Sequence, residues 1–290
     1  MNWQALIERL PGLSDGAANG FEVNAVSGGD INQACRLEVG DRRFFVKINR
    51  SELLPMFEAE RAGLEAIRDT RSIRVPEVYL TGSDSDGAYL VMENIDLTRQ
   101  PHPEPLAEAL ASMHANFSER FGFPGDNTIG STPQINTATD DWVEFWRQCR
   151  LGFQLELAEQ RGFDAQLIDQ GARLNERIEY FFTDYRPRPS LLHGDLWSGN
   201  WAADASGNPV IFDPACYYGD HEADLAMMEL FGHPGERFFA VYHERFPIDA
   251  GYTERRDFYN LYHIFNHALL FGGGYLAQTR RGIERLLALS

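Results

Sequence analysis

The sequence predicts an α+β fold of two lobes, in which a small antiparallel β-sheet with one main helix precedes a mostly helical lobe. Strand-like runs dominate the first part of the chain, hairpin turns join them, and helical periodicity takes over after a proline-rich segment. We therefore expect an N-terminal lobe at residues 1–95 and a C-terminal lobe at residues 96–290. A chain of 290 residues has room for both, because domains commonly span about 100–200 residues.

The N-terminal lobe is predicted to follow the order β-β-β-α-β-β after a short helix at residues 2–10. Strands are expected where β-branched, aromatic and other apolar residues lie between turn residues. These runs are Phe21 to Ser27, Ala34 to Val39, Arg43 to Ile48, Glu77 to Leu80 and Ala88 to Met92. Apolar residues recur at helical spacing from Glu52 to Arg68. No helix separates the first three strands, which predicts an antiparallel meander.

The C-terminal lobe is predicted to be helical with one strand-rich interruption. Helices are expected at roughly Leu106 to Asn116, Asp140 to Gln160, Ala165 to Phe182, Glu222 to Phe231 and Arg255 to Phe271. The strand-rich stretch runs from Ser190 to Asp213. The lobe boundary is placed near residues 94–105, where turn-forming and proline residues separate two compositions.

Charge and cysteine content exclude several classes of protein. The formal net charge is −17, so the surface should repel nucleic acids and anionic membranes. The three cysteines show no CxxC spacing, which argues against a disulfide framework and against a structural zinc site. No window holds about 18 uninterrupted apolar residues, and residues 2–10 contain an acid where a signal peptide would be apolar. We expect a cytoplasmic protein.

The strongest chemical signal is the segment Leu191 to Asn200, LLHGDLWSGN, followed by Val210 to Pro214, VIFDP. Phosphoryl transfer from ATP to an alcohol needs a carboxylate that orients the hydroxyl and accepts its proton. It also needs oxygen ligands that hold Mg²⁺ on the phosphates. Asp195 is the candidate catalytic base, and Asn200 and Asp213 are the candidate Mg²⁺ ligands. Their spacing matches the catalytic loop and metal aspartate of kinases.

Each of these residues has a simpler interpretation when it is taken alone. Asp195 could be a turn residue, and Asn200 and Asp213 could be ordinary residues at strand ends. The combination at kinase spacing favours the catalytic interpretation. His193 could ligate a metal together with Asp195 and His221, but Mg²⁺ prefers oxygen ligands. We favour a structural histidine whose ring hydrogen-bonds the catalytic loop.

Two upstream segments are candidates for the phosphate site. Lys47 lies in the strand FFVKI, on the face opposite Val46 and Ile48, and could reach the α- and β-phosphates of ATP. Alone it would be an ordinary surface lysine, but its position thirteen residues before a helical Glu60 predicts an ion pair. Gly28 and Gly29 could close over the phosphates, because glycine allows the backbone to approach closely. Without a GxGxxG pattern, they equally fit a hairpin turn.

Two further predictions depend on position along the chain. The backbone of Glu93 and Ile95, in VMENI, is placed to hydrogen-bond the edge of adenine at the hinge between the lobes. Asp224 begins an apolar helix eleven residues after Asp213. An acid is favoured at a helix N-terminus whatever the function, so Asp224 either serves the helix alone or also braces the catalytic loop.

These motifs resemble the fructosamine kinase (ketosamine-3-kinase) family. The tryptophan in His193 to Asn200, HGDLWSGN, distinguishes the resemblance from the wider aminoglycoside phosphotransferase group. Further similarities extend over nearly the whole chain: Phe45 to Lys47, Met56 to Glu60, Val75-Pro76, Val91 to Glu93, Asp140 to Trp142, Asp213 to Ala215, Tyr218-Gly219 and Phe271 to Tyr275.

The resemblance implies a protein-kinase-like fold, ATP and Mg²⁺ as cofactors, and phosphorylation of the 3-hydroxyl of ketosamines. Ketosamines are the sugar adducts that glycation forms on amines, and their phosphorylation would make this a deglycation repair enzyme. The acceptor would be a small-molecule or protein-bound ketosamine. Many relatives have a cysteine in the glycine-rich turn where this chain has Asp30, so redox regulation through that cysteine is not expected here.

Other interpretations stay open from the sequence alone. The nearest is another small-molecule kinase, of the aminoglycoside or choline kinase type, which the Trp-Ser-Gly sequence disfavours. A catalytically silent nucleotide-binding protein would usually lack one of the key positions, and a protein kinase would need a longer segment after Asp213.

Trp197 is expected to line the acceptor entry, since a sugar's C–H face packs on an aromatic ring. Trp142, Tyr218 and Tyr275 are weaker candidates, for which core packing is the alternative.

Overall fold

The first part of the chain forms an antiparallel sheet with a helix on each face. The structure is a computed structural model, and it describes residues 1–13, 20–26, 31–98 and 100–290. The strands are β1 (Phe21–Val26), β2 (Gln33–Val39), β3 (Arg42–Asn49), β4 (Val78–Asp84) and β5 (Gly87–Glu93). The helices are α1 (Trp3–Ile7) and α2 (Leu54–Thr70), and a 3₁₀ turn at Ser51–Leu53 precedes α2. The strand order is β1-β2-β3-β5-β4, so the predicted meander and element order are both present.

The two faces of this sheet have different roles because side chains alternate along a strand. On one face, Phe44 and Val46 of β3 pack in a core with apolar residues of α1. On the opposite face, Phe45 and Lys47 line a cavity. Helix α2 lies on this second face of the sheet, beside the cavity, and packs Phe57 and other apolar residues against it. Lys47 therefore lies opposite Val46, as the alternation predicts.

The second part of the chain is mostly helical. Its helices are α3 (Pro103–His114), α4 (Trp142–Trp146), α5 (Phe153–Gln160), α6 (Ala165–Glu176), α7 (Glu222–Leu230), α8 (Glu236–Arg245), α9 (Tyr252–Phe271) and α10 (Gly274–Leu289). Short strands form three antiparallel pairs: β6 (Asn127–Ile129) with β7 (Thr132–Gln134), β8 (Ser190–Leu192) with β11 (Tyr217–Gly219), and β9 (Trp201–Ala203) with β10 (Pro209–Ile211).

Aromatic side chains dominate the core between α4 and α9. Trp142 stacks on Phe145, and its indole N–H donates to the hydroxyl of Tyr259 at 3.0 Å. Trp146 packs edge-on against Tyr259 and close to Phe258. Trp142 is 3% exposed, so it belongs to the core and does not line an acceptor entry.

Several contacts join the sheet to the helical part. Arg74 forms ion pairs with Asp204, at 2.5 Å, and with Glu93, at 2.6 Å. Its carbonyl oxygen accepts a hydrogen bond from the amide of Ile211 in β10, at 3.0 Å. The amide of Thr98 donates to the carbonyl of Ala203 at 2.9 Å. The end of β5 and the loop before β4 are thereby fixed next to β9 and β10, which Asn200 precedes and Asp213 follows.

The structure also corrects the predicted helices. Helix α1 covers residues 3–7 rather than 2–10, and the helix predicted at residues 140–160 is divided by a π-helical turn at Arg147–Gly152. The helix predicted at residues 165–182 ends as α6 at Glu176 and continues as a 3₁₀ turn. The β6–β7 hairpin and helices α8 and α10 were not predicted.

Cys35, Cys149 and Cys216 are buried free thiols. Among the helices of the described residues, none combines the length and the apolar character that crossing a lipid bilayer requires.

Candidate active site

Asp195 lies on a loop whose path depends on a glycine. The loop follows β8, which pairs with β11. Gly194 has φ of 82°, a left-handed conformation that residues with side chains rarely adopt, and a Cβ there would overlap the carbonyl oxygen of Ala215. The glycine lets the chain turn against the backbone of Ala215, and Asp195 follows at the edge of a cavity.

The carboxylate of Asp224 binds the backbone of this loop. One of its carboxylate oxygens accepts the amide N–H of His193 at 2.7 Å, and the other accepts the N–H of Gly194 at 2.9 Å. The first oxygen also lies 3.1 Å from Nε2 of His114. Burial raises the pKa of Asp224, but these donors outweigh it and hold the pKa below its usual value. Asp224 therefore contacts the catalytic loop as well as the start of α7.

The ring of His193 is structural, as predicted. Its Nε2 lies 2.9 Å from the carbonyl oxygen of Phe212 and must donate, while its Nδ1 accepts the amide N–H of Asp195 at 3.2 Å. These partners define the neutral Nε2–H tautomer, and burial lowers the pKa of the ring. His221, the other candidate metal ligand, packs against Phe246 with ring centroids 4.5 Å apart. The alternative metal site of His193, Asp195 and His221 is not supported.

We expect the Asp224→Asn variant to lower kcat by about 10²-fold, because a displaced catalytic group costs about that much. The asparagine side chain offers one acceptor for two backbone donors, so the free energy of unfolding should fall by about 1–3 kcal/mol. Steady-state kinetics and thermal unfolding measure both effects, and the KM for ATP should stay unchanged. Asp169→Asn, on the exposed surface of α6, is the control. A loss of stability with normal kcat would show that Asp224 serves only the fold.

Local packing explains the residue types in Trp197-Ser198-Gly199. The hydroxyl of Ser198 donates to the carbonyl oxygen of Phe231, at the end of α7, at 2.6 Å. The ring of Trp197 folds back over Gly199, where a Cβ would overlap the indole. Serine thus anchors the loop to α7, and glycine makes room for the tryptophan. Trp197 is 40% exposed and lines a cavity on each side, and its role at an acceptor entry stays a prediction.

Asn200 lies beside Asp195. Its amide Nδ2 donates to the Asp195 carbonyl oxygen at 2.8 Å and lies 3.4 Å from a side-chain oxygen of Asp195. Burial, and then the charges of Asp213 and Asp224, raise the pKa of Asp195 to about 7, against the hydrogen bond from Asn200. A carboxylate with such a pKa suits a general base that works near neutral pH.

Lys47 brings the sheet and the catalytic loops together. Its ammonium lies 2.6 Å from Oε1 of Glu60 on α2 and 2.7 Å from Oδ1 of Asp213. Burial lowers the pKa of Lys47, but the charges of Glu60 and Asp213 outweigh it and raise the pKa above the ordinary lysine value. The ion pair between Lys47 and Glu60 is present, and the Lys47 ammonium also faces Asp213, just after β10.

The residues at the end of β10 suit a hard divalent cation. Asp213 has φ of 57°, a left-handed conformation that aspartate tolerates better than most residues, and about half of its side chain is exposed. No cluster of three or more His, Cys, Asp or Glu side chains in the described ranges could hold a metal ion by itself. Mg²⁺ commonly binds one or two carboxylates and completes its shell with waters and substrate phosphates. The oxygens of Asp213 and Asn200 fit that pattern.

Two cavities meet at these residues. The first, which we call the nucleotide cavity, has a volume of about 700 Å³ and lies between the sheet and the β9–β10 strands. The second, which we call the acceptor cavity, has a volume of about 510 Å³ and lies between α2, the β6–β7 hairpin and α9. Both are lined by Lys47, Trp197, Asn200 and Asp213, whereas Asp195 lines only the acceptor cavity. The candidate base thus faces one compartment and the candidate cation ligands face both.

The predicted hinge residues line the nucleotide cavity. Glu93 and Ile95 both contribute to its wall, between Phe45 of the sheet and Phe212 of the helical part. The amide N–H of Glu93 already donates to the carbonyl of Glu77 at 2.8 Å, so a contact to adenine would use the Glu93 carbonyl. The glycine-rich turn with Gly28, Gly29 and Asp30 lies outside the described residues.

The weaker aromatic candidates separate into two groups. Tyr275 lines the acceptor cavity, where its ring lies 4.9 Å from that of His267. Tyr218 instead packs against Phe123 and, like the buried Trp142, lies outside both cavity linings. Sequence reasoning missed the acceptor-cavity face of α9. The signal was present, because His263, Asn266 and His267 recur at helical spacing in the otherwise apolar second half of α9.

Comparisons with known proteins identify the family of this chain. A sequence model of the family described as fructosamine kinase matches residues 2–289. A Synechocystis protein assigned as a ketoamine kinase is 42% identical over 99% of this chain and 97% of its own length. The chloroplastic protein-ribulosamine 3-kinase of Arabidopsis thaliana is 44% identical over 96% of this chain and 86% of its own length.

Solved structures show the same fold. A Thermobifida fusca protein assigned as a fructosamine-3-kinase superposes with a TM-score of 0.85 at 27% identity, over 99% of both chains. A thermostable aminoglycoside phosphotransferase variant, in ternary complex with ADP and hygromycin B, superposes with a TM-score of 0.68 at 17% identity, over 99% of this chain and 98% of the other. The predicted protein-kinase-like fold is confirmed, and the chain belongs to the fructosamine kinase family.

Proposed function

We propose that this protein is an ATP-dependent kinase that phosphorylates the 3-hydroxyl of ketosamines, such as ribulosamine and fructosamine adducts, in deglycation repair. The observation that carries the proposal is the pair of cavities that share Lys47, Asn200 and Asp213, with Asp195 on the acceptor side alone. The family relatives named as ketoamine and ribulosamine kinases support the ketosamine as acceptor. The related fold that binds ADP supports ATP as the donor.

Asp195 would orient the acceptor hydroxyl and accept its proton as the phosphoryl group is transferred. Lys47, fixed by Glu60, would place a positive charge beside the phosphates at the junction of the cavities. Asn200 and Asp213 would hold Mg²⁺, which when bound neutralises charge on the phosphates. Trp197 would pack on the sugar between the two compartments and limit the access of water.

The alternatives are less well supported. A catalytically silent protein usually lacks one of the key groups, yet Asp195, Lys47, Asn200 and Asp213 all lie around the two cavities. A protein kinase would carry a long segment between Asp213 and the next helix, but α7 begins at Glu222. The cytoplasmic location and the lobe boundary between residues 95 and 96 stay predictions.

An assay of ADP release tests the proposal. The purified protein is incubated with Mg-ATP and, separately, with ribulosamines, fructoselysine, aminoglycosides and choline. We expect turnover only with the ketosamines, and phosphorus and carbon NMR of the product should place the phosphate on C3. Turnover that stops on removal of Mg²⁺ by a chelator and returns on its addition would support the proposed ligands. Activity on aminoglycosides or choline alone, or no turnover on any acceptor, would contradict the proposed substrate class.

A further inference from the structure

One wall of the acceptor cavity is formed by a single face of α9. His263, Asn266, His267 and Leu270 all line the cavity, at the spacing i, i+3, i+4 and i+7 that places side chains on one side of a helix. Asp195 lines the same cavity from the catalytic loop. A molecule whose hydroxyl reaches Asp195 therefore has the rest of its length bounded by this helix.

Two polar atoms on this face have no hydrogen-bond partner among the residues that the structure describes. Nδ1 of His263 and Oδ1 of Asn266 are buried and unpaired, in side chains that are 5% and 3% exposed. The other end of the Asn266 amide is fixed, because its Nδ2 donates to the carbonyl oxygen of Ile129 in the β6–β7 hairpin at 3.1 Å. Buried polar groups without partners are rare in proteins because they are costly. An unpaired acceptor on a residue that lines a cavity can be satisfied by a ligand group that donates to it.

The chemistry of the two atoms restricts the ligand. Oδ1 of an amide can only accept a hydrogen bond, so a phosphate or carboxylate would be repelled there. Burial lowers the pKa of His263 to about 3, which leaves a neutral ring that can donate from one nitrogen and accept at the other. A neutral donor–acceptor group such as a hydroxyl satisfies both atoms. The wall is therefore suited to a polyhydroxy chain rather than to an anionic group.

We propose that His263 and Asn266 are specificity-determining residues that bind hydroxyl groups of the ketosamine sugar beyond the one that Asp195 orients. The proposal rests on the ketosamine kinase function given above and adds the residues that recognise the sugar. Sites that hydrogen-bond a substrate hydroxyl discriminate strongly against analogues that lack it, because their own polar groups are then left unpaired. This pair would thus select polyhydroxylated acceptors.

The test compares His263→Phe and Asn266→Leu with a matched control, Asn260→Leu. Asn260 lies on α9 before His263, also has a buried and unpaired Oδ1, and is 8% exposed, but it lines neither cavity. We expect the KM for a ribulosamine or fructosamine to rise about tenfold or more in each test variant, since one hydrogen bond is worth about that factor. The KM for ATP should stay within twofold, and Asn260→Leu should match the wild type in both constants.

A second measurement separates recognition from a structural role of the side chains. Deoxy-ketosamines that each lack one hydroxyl beyond C3 are assayed with the wild type and with both variants. At least one should lose about tenfold in kcat/KM on the wild type and lose nothing further on the variant that lacks its partner. The comparison stays informative if a variant folds poorly. A loss of kcat/KM for a deoxy analogue on the wild type by itself requires a polar group in the wall that binds the missing hydroxyl.

The outcomes distinguish the two proposals. If the wild type phosphorylates ketosamines but both variants behave like Asn260→Leu, the sugar-binding role is overturned and the proposed function stands. The same conclusion follows if no deoxy analogue loses efficiency on the wild type. If the wild type turns over no ketosamine, the proposed function fails and the sugar-binding role fails with it.

Discussion

Replacing Asp195 by asparagine is expected to lower kcat by at least about 10²-fold while ATP still binds, because general-base help is typically worth 10²–10⁴-fold. Asparagine preserves the size of the side chain and the hydrogen bond from Asn200 to the backbone carbonyl at residue 195. It cannot accept the proton of the acceptor hydroxyl. Asp195 does not line the nucleotide cavity, so calorimetry should show nearly unchanged affinity for Mg-ATP. Near-normal turnover of a ketosamine would refute the assignment of Asp195 as the base.

The stability of the same variant provides an independent check. The pKa of Asp195 rises from an ordinary 3.8 to about 7 in the folded protein, so the folded state binds a proton more tightly than the unfolded state. Ionised Asp195 therefore destabilises the fold, with a cost that is absent at low pH, grows as pH rises from about 3.8, and is complete above about 7. Without metal or nucleotide, the Tm of Asp195→Asn should exceed that of the wild type increasingly over this range. A lower Tm at pH 8 would contradict the cost of burying the Asp195 carboxylate and of its repulsion by Asp213 and Asp224.

The sheet was predictable because its signals are local. Alternation and hairpin turns gave the strands of the first part of the chain to within a few residues, and the absence of helices between β1, β2 and β3 gave their antiparallel order. The β6–β7 hairpin has two strands of three residues each, which is too short for alternation to be recognised. The π-helical turn at Arg147–Gly152 keeps the helical periodicity nearly intact, so the pattern over residues 140–160 suggested one continuous helix.

The clustering of the candidate site residues was predictable because they belong to short motifs. The spacing of Asp195, Asn200 and Asp213 and the distance from Lys47 to Glu60 identify groups that the structure brings together. The sequence could not show that Asp195 faces only the acceptor cavity, because that depends on how α9 and the β6–β7 hairpin enclose it. The unpaired atoms of His263 and Asn266 likewise become visible only when the hydrogen bonds of all neighbours are known.

A neutral side chain at position 213 is expected to reduce the affinity for Mg-ATP by more than about 100-fold. The loss of a residue that only hydrogen-bonds a metal ligand typically costs roughly 10–100-fold, and the loss of a ligand should cost more. Asp213→Asn is the suitable variant, because asparagine tolerates the left-handed backbone with φ of 57°, whereas alanine would add conformational strain. Calorimetric titration with ATP in the presence of Mg²⁺ measures the loss.

The same titration without Mg²⁺ should give the opposite sign. Asp213 then places a negative charge beside the phosphates and takes one of the two ion pairs of Lys47, at 2.7 Å, so its neutralisation frees Lys47 to bind phosphate oxygens. Metal-free ATP should bind Asp213→Asn at least as tightly as it binds the wild type. A misfolded variant would lose affinity under both conditions, and a residue without a metal-binding role would change neither. Only a metal ligand beside the phosphates gives a large loss with Mg²⁺ and none without it.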